Sequence, residues 1–189
     1  IKDLRVEFKM NLDLLLQQLN SMNNTISSYE EKIEQLTQTP KYKSKVDALI
    51  CFKGVKVLTA MTLITEIGDI NRFDHPTKLT SYCGMDLREY SSGGKERRFG
   101  ITKMGNVNIR TAAIESCQKT HIYQRVGERL KKRRLDKEPK IISIAEKCQK
   151  RLYKRSDHLL DQNKNRNKVK VAVAREFLGF VWATLKAVA

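Results

Sequence analysis

The sequence predicts a mainly α protein: a long coiled-coil helix followed by a compact helical domain that carries a glycine-rich loop or small hairpin. Three observations predict it. Apolar residues hold a strict heptad spacing through the first segment, and the rest of the chain returns repeatedly to amphipathic helical spacing. Five of the nine glycines crowd between residues 84 and 105, in a stretch that cannot be a helix.

Phe8, Leu12, Leu15, Leu19, Met22, Ile26, Tyr29, Ile33 and Leu36 are spaced alternately four and three residues apart. This is the seam of a helix packed against another helix, and a stripe so narrow buries nothing alone. The partner is therefore a second chain or an upstream helix, and a dimerising coiled coil over residues 1–38 is the expectation. Asn20, Asn23 and Asn24 lie off the seam and do not set its register. Thr39-Pro40 ends the helix, because the residue before a proline is pushed out of helical geometry. The remainder, 39–189, reads as one helical domain.

Within that domain, 44–67 reads as helix, turn and helix, with Gly54 in the turn. Such a helix-hairpin-helix can offer backbone N–H groups to a phosphate, or be an ordinary helical hairpin with a glycine cap. Gly68-Asp69 stops the second helix, and Pro76 opens a short one to Tyr82. The loop or hairpin of 84–105 follows, then a helix over Asn106–Tyr123. Residues 126–140 read as a charged linker or arm. Residues 141–160 form a basic amphipathic helix that buries Ile142, Ala145, Cys148, Leu152 and Leu159. After a polar turn at 163–168, an apolar helix over 169–189 centres on Phe177, Phe180, Val181 and Trp182 and belongs to the core.

Thirty-seven Lys and Arg stand against 21 Asp and Glu, a net charge of +16. The excess is not spread evenly. Residues 1–38 are net −2, while 119–170 carry 18 basic and six acidic groups, three quarters of the whole excess. A directed positive face of this kind draws polyanions, and nucleic acid is the expected partner. No apolar run approaches the ~20 residues of a membrane-spanning helix, and the first ten residues lack a signal-peptide core. Cys51, Cys83, Cys117 and Cys148 lie more than thirty residues apart, without zinc-ligand spacing near His75, His121 or His158. They read as buried thiols of a reducing cytoplasm.

Ser91-Ser92-Gly93-Gly94, followed by Lys95, Arg97, Arg98 and Lys103, is the chemically interesting cluster. A hydroxyl on a glycine-rich bend is sterically open, and nearby cations stabilise charge on a phosphoryl group. By residue types alone, a phosphate-cradling loop explains the cluster better than a catalytic one. Asp69, Asp74 and Asp86 read as caps and turns, so no metal site declares itself. Taken by its residues, this is a nucleic-acid-binding α domain.

From Ala48 onward the chain resembles the C-terminal transposase domain of the insertion-sequence one-ten family and its eleven-eleven subgroup, the bridge-RNA-guided serine recombinases. The resemblance is carried by G-V-K-V-L-T-A-M-T-L-I-T-E-I-G-D (54–69), R-F-D-H-P-T-K-L-T-S-Y-C-G (72–84), E-Y-S-S-G-G-K-E-R-R-F-G-I-T-K-M-G-N (89–106) and V-A-V-A-R-E-F-L-G-F-V-W-A (171–183). These strings occur in the family's order over about 140 residues.

The resemblance implies a DNA transposase or recombinase whose nucleophilic serine is Ser92, with Ser91 as the fallback. It implies DNA and a guide RNA as partners, a homodimer or higher oligomer joined by the coiled coil, and a cytoplasmic, nucleoid-associated protein. It also implies an upstream RuvC-like domain whose acidic residues hold Mg²⁺. This chain would then be a C-terminal part that needs no cofactor of its own and is inactive alone. Lys95, Arg97, Arg98 and Lys103, with Asn106 and Arg110 at the next helix's start, would grip phosphates near Ser92. Lys147, Lys150, Arg151, Lys154 and Arg155 would hold nucleic-acid backbone. The competing reading is a dimeric helical DNA- or RNA-binding module whose loop holds phosphate without cutting.

Overall fold

A computed structural model describes the backbone of residues 6–92, 95–120 and 125–189, and their side chains except those of 90–99. Among the described residues the protein is mainly helical, with eight α-helices and one two-stranded sheet, as the sequence predicts. The order is α1 (Val6–Thr37), α2 (Lys43–Leu49), α3 (Val57–Ile67), a single 3₁₀ turn (Ile70–Arg72), α4 (Pro76–Tyr82), β1 (Leu87–Ser92), β2 (Lys95–Ile101), α5 (Val107–Ser116), α6 (Glu128–Arg134), α7 (Pro139–Asp161) and α8 (Arg166–Ala187). No helix among the described residues is long and apolar enough to cross a membrane.

The core is built around α8, which packs against α7, α4, α5 and α2. Phe177, Leu178 and Val181 are buried on it, and the Phe177 ring meets Phe52 edge-on at 5.9 Å. Trp182 is only half-buried because its indole N–H turns outward to donate to the Phe73 carbonyl at 2.8 Å, the satisfied polar end such a side chain needs. Helix α8 begins three residues before the sequence expectation. Asn165 accepts from the Asn167 N–H at 2.9 Å and so starts the helix inside the polar run.

All four cysteines are buried free thiols, as expected. Burial raises each of them above the ordinary thiol range, to about 12 at Cys83 and Cys117. They are held as unreactive apolar side chains.

Two expectations change. Helix α5 ends at Ser116 rather than Tyr123, since Cys117 and Gln118 turn back on Ile114 and Glu115 by backbone hydrogen bonds; Tyr123 lies outside the described residues. Residues 126–140 are not a solvated arm. They contain α6, whose Leu130 and Arg134 are buried, with Arg134 Nε donating to the Cys51 carbonyl at 2.9 Å and Arg133 Nη1 to the Val55 carbonyl at 2.5 Å. Lys137 closes the contact on Asp47 at 2.7 Å. Composition alone reads such a run as solvated, yet carbonyls left over by the α2–α3 turn give these cations partners inside the fold.

The α2–α3 turn fits the ordinary glycine-capped hairpin of the two readings. Gly54 has φ +87°, and a Cβ placed there would stand 2.0 Å from the Ser116 carbonyl oxygen. The hairpin's closest approach is thus to the end of α5, with α6 holding its carbonyls, and not to an open phosphate site. Gly54→Ala is expected to cost about 3 kcal/mol or more, from backbone strain plus the clash. Urea unfolding of the variant checks it, and an unchanged midpoint would refute it.

Candidate nucleic-acid interface and the serine hairpin

The irregular stretch resolves into a small antiparallel hairpin. Leu87 pairs with Ile101, Glu89 with Arg98, Tyr90 with Arg97, Ser91 with Glu96 and Ser92 with Lys95, with an irregularity between Leu87 and Glu89. Ser92 therefore occupies the last rung of the ladder, directly opposite Lys95. Gly93 and Gly94, which join the strands, lie outside the described residues, as do the side chains of Ser91, Ser92, Lys95, Arg97 and Arg98. The strands contact chiefly one another.

The root of the hairpin is a tight backbone crossing. Met85 N–H donates to the Thr80 carbonyl at 3.0 Å, Thr102 N–H to the Asp86 carbonyl at 2.8 Å, Lys103 N–H to the Gly84 carbonyl at 2.9 Å and Asn106 N–H to the Tyr82 carbonyl at 2.9 Å. Only glycine fits at two of these points. A Cβ on Gly84 (φ +64°) would meet the backbone of Lys103 and Met104 at 2.8 Å, and one on Gly105 (φ +150°) would meet the Tyr82 oxygen at 2.3 Å. Lys103 itself is exposed and sits at φ +57°, a left-handed conformation uncommon for lysine.

Side chains brace the same root. Asp86 accepts from the Ser81 and Thr80 hydroxyls and meets Arg175 Nη2 at 3.4 Å. Arg72 lies over the Tyr82 and Phe73 rings, 4.3 and 4.5 Å from their centroids. Hydrogen bonds from Arg72 and Asn106 draw the Tyr82 phenol below its ordinary pKa.

The expected phosphate-gripping residues divide into separate groups. Asn106 and Arg110 are committed internally. The Asn106 carbonyl oxygen caps α5 by accepting from the Ile109 N–H at 2.9 Å, and its amide donates to Glu66 Oε2 at 2.7 Å. Arg110 Nη1 donates to the Cys83 carbonyl at 2.7 Å. Both hold the hairpin root to α3 and α4.

On α7, Lys147, Lys150, Arg151, Lys154 and Arg155 are all exposed. Arg151 and Arg155, one helical turn apart, both lean on Glu176 of α8 at 3.0 and 3.3 Å. Lys147, Lys150 and Lys154 make no ion pair among the described residues.

Sequence reasoning missed Glu66, Asp86, Arg72 and Glu176, the partners that fix these groups. Only the i, i+4 spacing of Arg151 and Arg155 hinted that one carboxylate could serve both.

Hydrogen bonds from Asn106 and Asn108 hold the Glu66 carboxyl below its ordinary pKa of 4.5. Its folded form is therefore favoured above that value, and the gain is lost as the pH falls through the lower folded pKa. Asn106→Ala should move Glu66 back toward 4.5 in an NMR titration and weaken the α5 cap by about 1 kcal/mol. An unmoved Glu66 would contradict the assignment.

The sequence that builds this site is similar to known transposases. Residues 46–132 match the family model of the transposase IS116/IS110/IS902 family. The chain is 40% identical over 139 residues to y4qE, a transposase-like protein of Sinorhizobium fredii, a match that covers 73% of this chain and 35% of that one. It is 32% identical over 110 residues to the transposase for insertion sequence element IS1111A of Coxiella burnetii, covering 58% and 29%. With the transposase for IS1533 of Leptospira borgpetersenii it shares 27% over 145 residues, covering 74% and 40%. The chain spans about a third of the length of these curated relatives. Residues 46–132, which hold the α2–α3 hairpin, the serine hairpin and α6, carry a transposase domain of the IS116/IS110/IS902 family.

Proposed function

We propose that this chain is the C-terminal part of a DNA transposase and that it supplies the nucleophile, Ser92, for strand cleavage and exchange. The observation that supports the reading is the register of the hairpin: Ser92 stands on the final rung beside Gly93-Gly94 and opposite Lys95, above a root locked by Gly84 and Gly105. A fixed root and a glycine-bearing end suit a group that must meet a DNA backbone at close range.

In the reaction, the Ser92 hydroxyl attacks the scissile phosphorus. The bond from phosphorus to a deoxyribose oxygen breaks as the serine phosphodiester forms. The serine proton passes to solvent, and the departing oxygen takes one up as a hydroxyl. One phosphodiester replaces another, so the reverse attack by a new strand end needs no outside energy source. Lys95, Arg97, Arg98 and Lys103 stabilise the charge on the phosphoryl oxygens.

Among the described residues no group of three or more His, Cys, Asp or Glu side chains could hold a metal ion. In this reading Mg²⁺ is held by the acidic residues of an upstream domain of the full protein. A guide RNA selects the DNA, and α1 joins two copies. Asn106 and Arg110 serve by positioning the hairpin, while Lys147, Lys150 and Lys154 on α7 hold nucleic-acid backbone, with Arg151 and Arg155 partly neutralised by Glu176.

Ser92→Ala in the full-length protein should abolish transposition and covalent protein–DNA adducts. Adducts that persist would move the nucleophile to Ser91, and undiminished recombination would leave a hairpin that only holds phosphate. Replacing Lys147, Lys150 and Lys154 together by Ala should lower the slope of log affinity against log salt by about 0.9 for each duplex phosphate the variant no longer neutralises, read by fluorescence anisotropy. An unchanged slope would remove α7 from the interface.

A further inference from the structure

Helix α7 packs against α8. Ala145, Cys148 and Leu152 are buried on the first helix, Phe177 and Leu178 on the second, so apolar burial joins them without help from charge. Beside this contact three charged side chains converge. Arg151 Nε lies 3.0 Å from Glu176 Oε2, and Arg155 Nε lies 3.3 Å from Glu176 Oε1. Each carboxylate oxygen thus serves one guanidinium. The two arginines start one turn apart, about 6 Å along the helix axis, and both side chains come to the same group. Glu176 is the most sheltered of the three, 26% exposed against 66% for Arg151 and 43% for Arg155.

What the pairing leaves unused decides its meaning. Both arginines reach Glu176 through Nε, and among the described residues neither donates a hydrogen bond through Nη1 or Nη2. The planar fork of a guanidinium matches the oxygens of a phosphate, and here two forks stay open. Two guanidiniums against one carboxylate also leave the trio at 2 − 1 = +1. An exposed ion pair adds little to stability, so fastening α7 to α8 does not account for the arrangement. Ordering two long side chains in advance has a different use. Immobilising such a side chain at the moment of binding costs about two- to tenfold in affinity. Lys147 and Lys154, four residues before Arg151 and three after it, stand on the same side of α7, exposed and without an ion pair among the described residues. The surroundings are thus positive along the helix, which suits a polyanion rather than a single small anion.

We propose that Arg151 and Arg155 form a clamp for one phosphodiester of a nucleic-acid backbone, and that Glu176 is the positioning residue that holds both guanidiniums ready for it. The two unesterified oxygens of the phosphodiester accept from the Nη groups, one oxygen to each arginine. Glu176 keeps both Nε atoms throughout, so binding needs no exchange of partners. Phosphates to either side meet Lys147 and Lys154. Simple charge counting sets Glu176 against this site, yet the magnitudes favour it. Its repulsion of a phosphate on the far side of a guanidinium is worth about threefold in water, less than two pre-ordered arginines together return. The inference rests on the reading of α7 as a nucleic-acid face and is independent of the chemistry of Ser92.

Fluorescence anisotropy of the 189-residue chain tests it with two labelled probes, a DNA duplex of mixed sequence and an RNA stem-loop. Glu176→Gln removes a negative charge from a site for a polyanion, and nevertheless should weaken binding about threefold or more. If Glu176 only neutralises the arginines, the same change tightens binding, so tighter or unchanged binding overturns the clamp. Arg151→Lys and Arg155→Lys keep the charge and lose the fork. Each should weaken binding while the slope of log affinity against log salt stays where it was. Full affinity in both lysine variants overturns the clamp as well, and these two carry the test if Glu176→Gln lowers the thermal midpoint. The probe that loses affinity names the backbone held. A chain that binds neither probe overturns the wider reading of α7 together with the clamp, whereas strong binding that Glu176→Gln tightens overturns the clamp alone.

Discussion

The backbone crossing at Gly84 and Gly105 is the constraint on which the rest of the site depends. Two chain segments, one leaving α4 and one entering α5, pass so closely that neither tolerates a Cβ. The contact is worthwhile because it satisfies the N–H groups of Met85, Thr102, Lys103 and Asn106 against Thr80, Asp86, Gly84 and Tyr82 carbonyls. Once it forms, the direction in which β1 departs and β2 returns is set by backbone, not by side chains. Asp86 and Arg110 then tie the crossing to α8 and to α4, so the hairpin inherits the rigidity of the core.

Electrostatics sorts the cations into those that fold the protein and those left for a partner. Arg133, Arg134 and Lys137 give their charge to carbonyls and a carboxylate around the α2–α3 turn. Arg134 is almost fully buried, an arrangement tolerable for a guanidinium only with such partners. Arg175 and Arg110 do the same at the hairpin root. What remains outward includes Lys147, Lys150 and Lys154 on one face of α7, and Lys103 at the hairpin exit. The net charge of +16 thus overstates the surface available to a polyanion.

Much of this was legible in the chain. The heptads of α1, the break at Pro40, the proline start of α4 and the amphipathic α7 follow from short-range rules, and the helices stand where those rules put them. The hairpin was legible as an alternative to a loop because five glycines crowd a stretch that cannot be a helix. Helix α6 was not, since its docking surface consists of carbonyls exposed by a turn eighty residues earlier in the chain, and no local pattern records that. Asn106 and Arg110 illustrate the same limit at the site. Their types and position invite a phosphate, whereas Glu66 and the Cys83 carbonyl, distant in sequence, already hold them.

Helices α2–α5, α7 and α8 bury their apolar faces against one another, while most of α1 contributes almost nothing to that burial. Helix α1 and the hairpin are nonetheless firmly joined: α1 by Ile33 and the buried Thr37 against the core, the hairpin by its crossing. An apolar helix face that does little folding work in the protomer, yet leaves it from a fixed joint, is positioned for contacts outside it. Helix and hairpin differ in what they can accept. The α1 stripe excludes water and suits a protein surface, whereas the hairpin end, serine beside glycine and lysine, suits a phosphate.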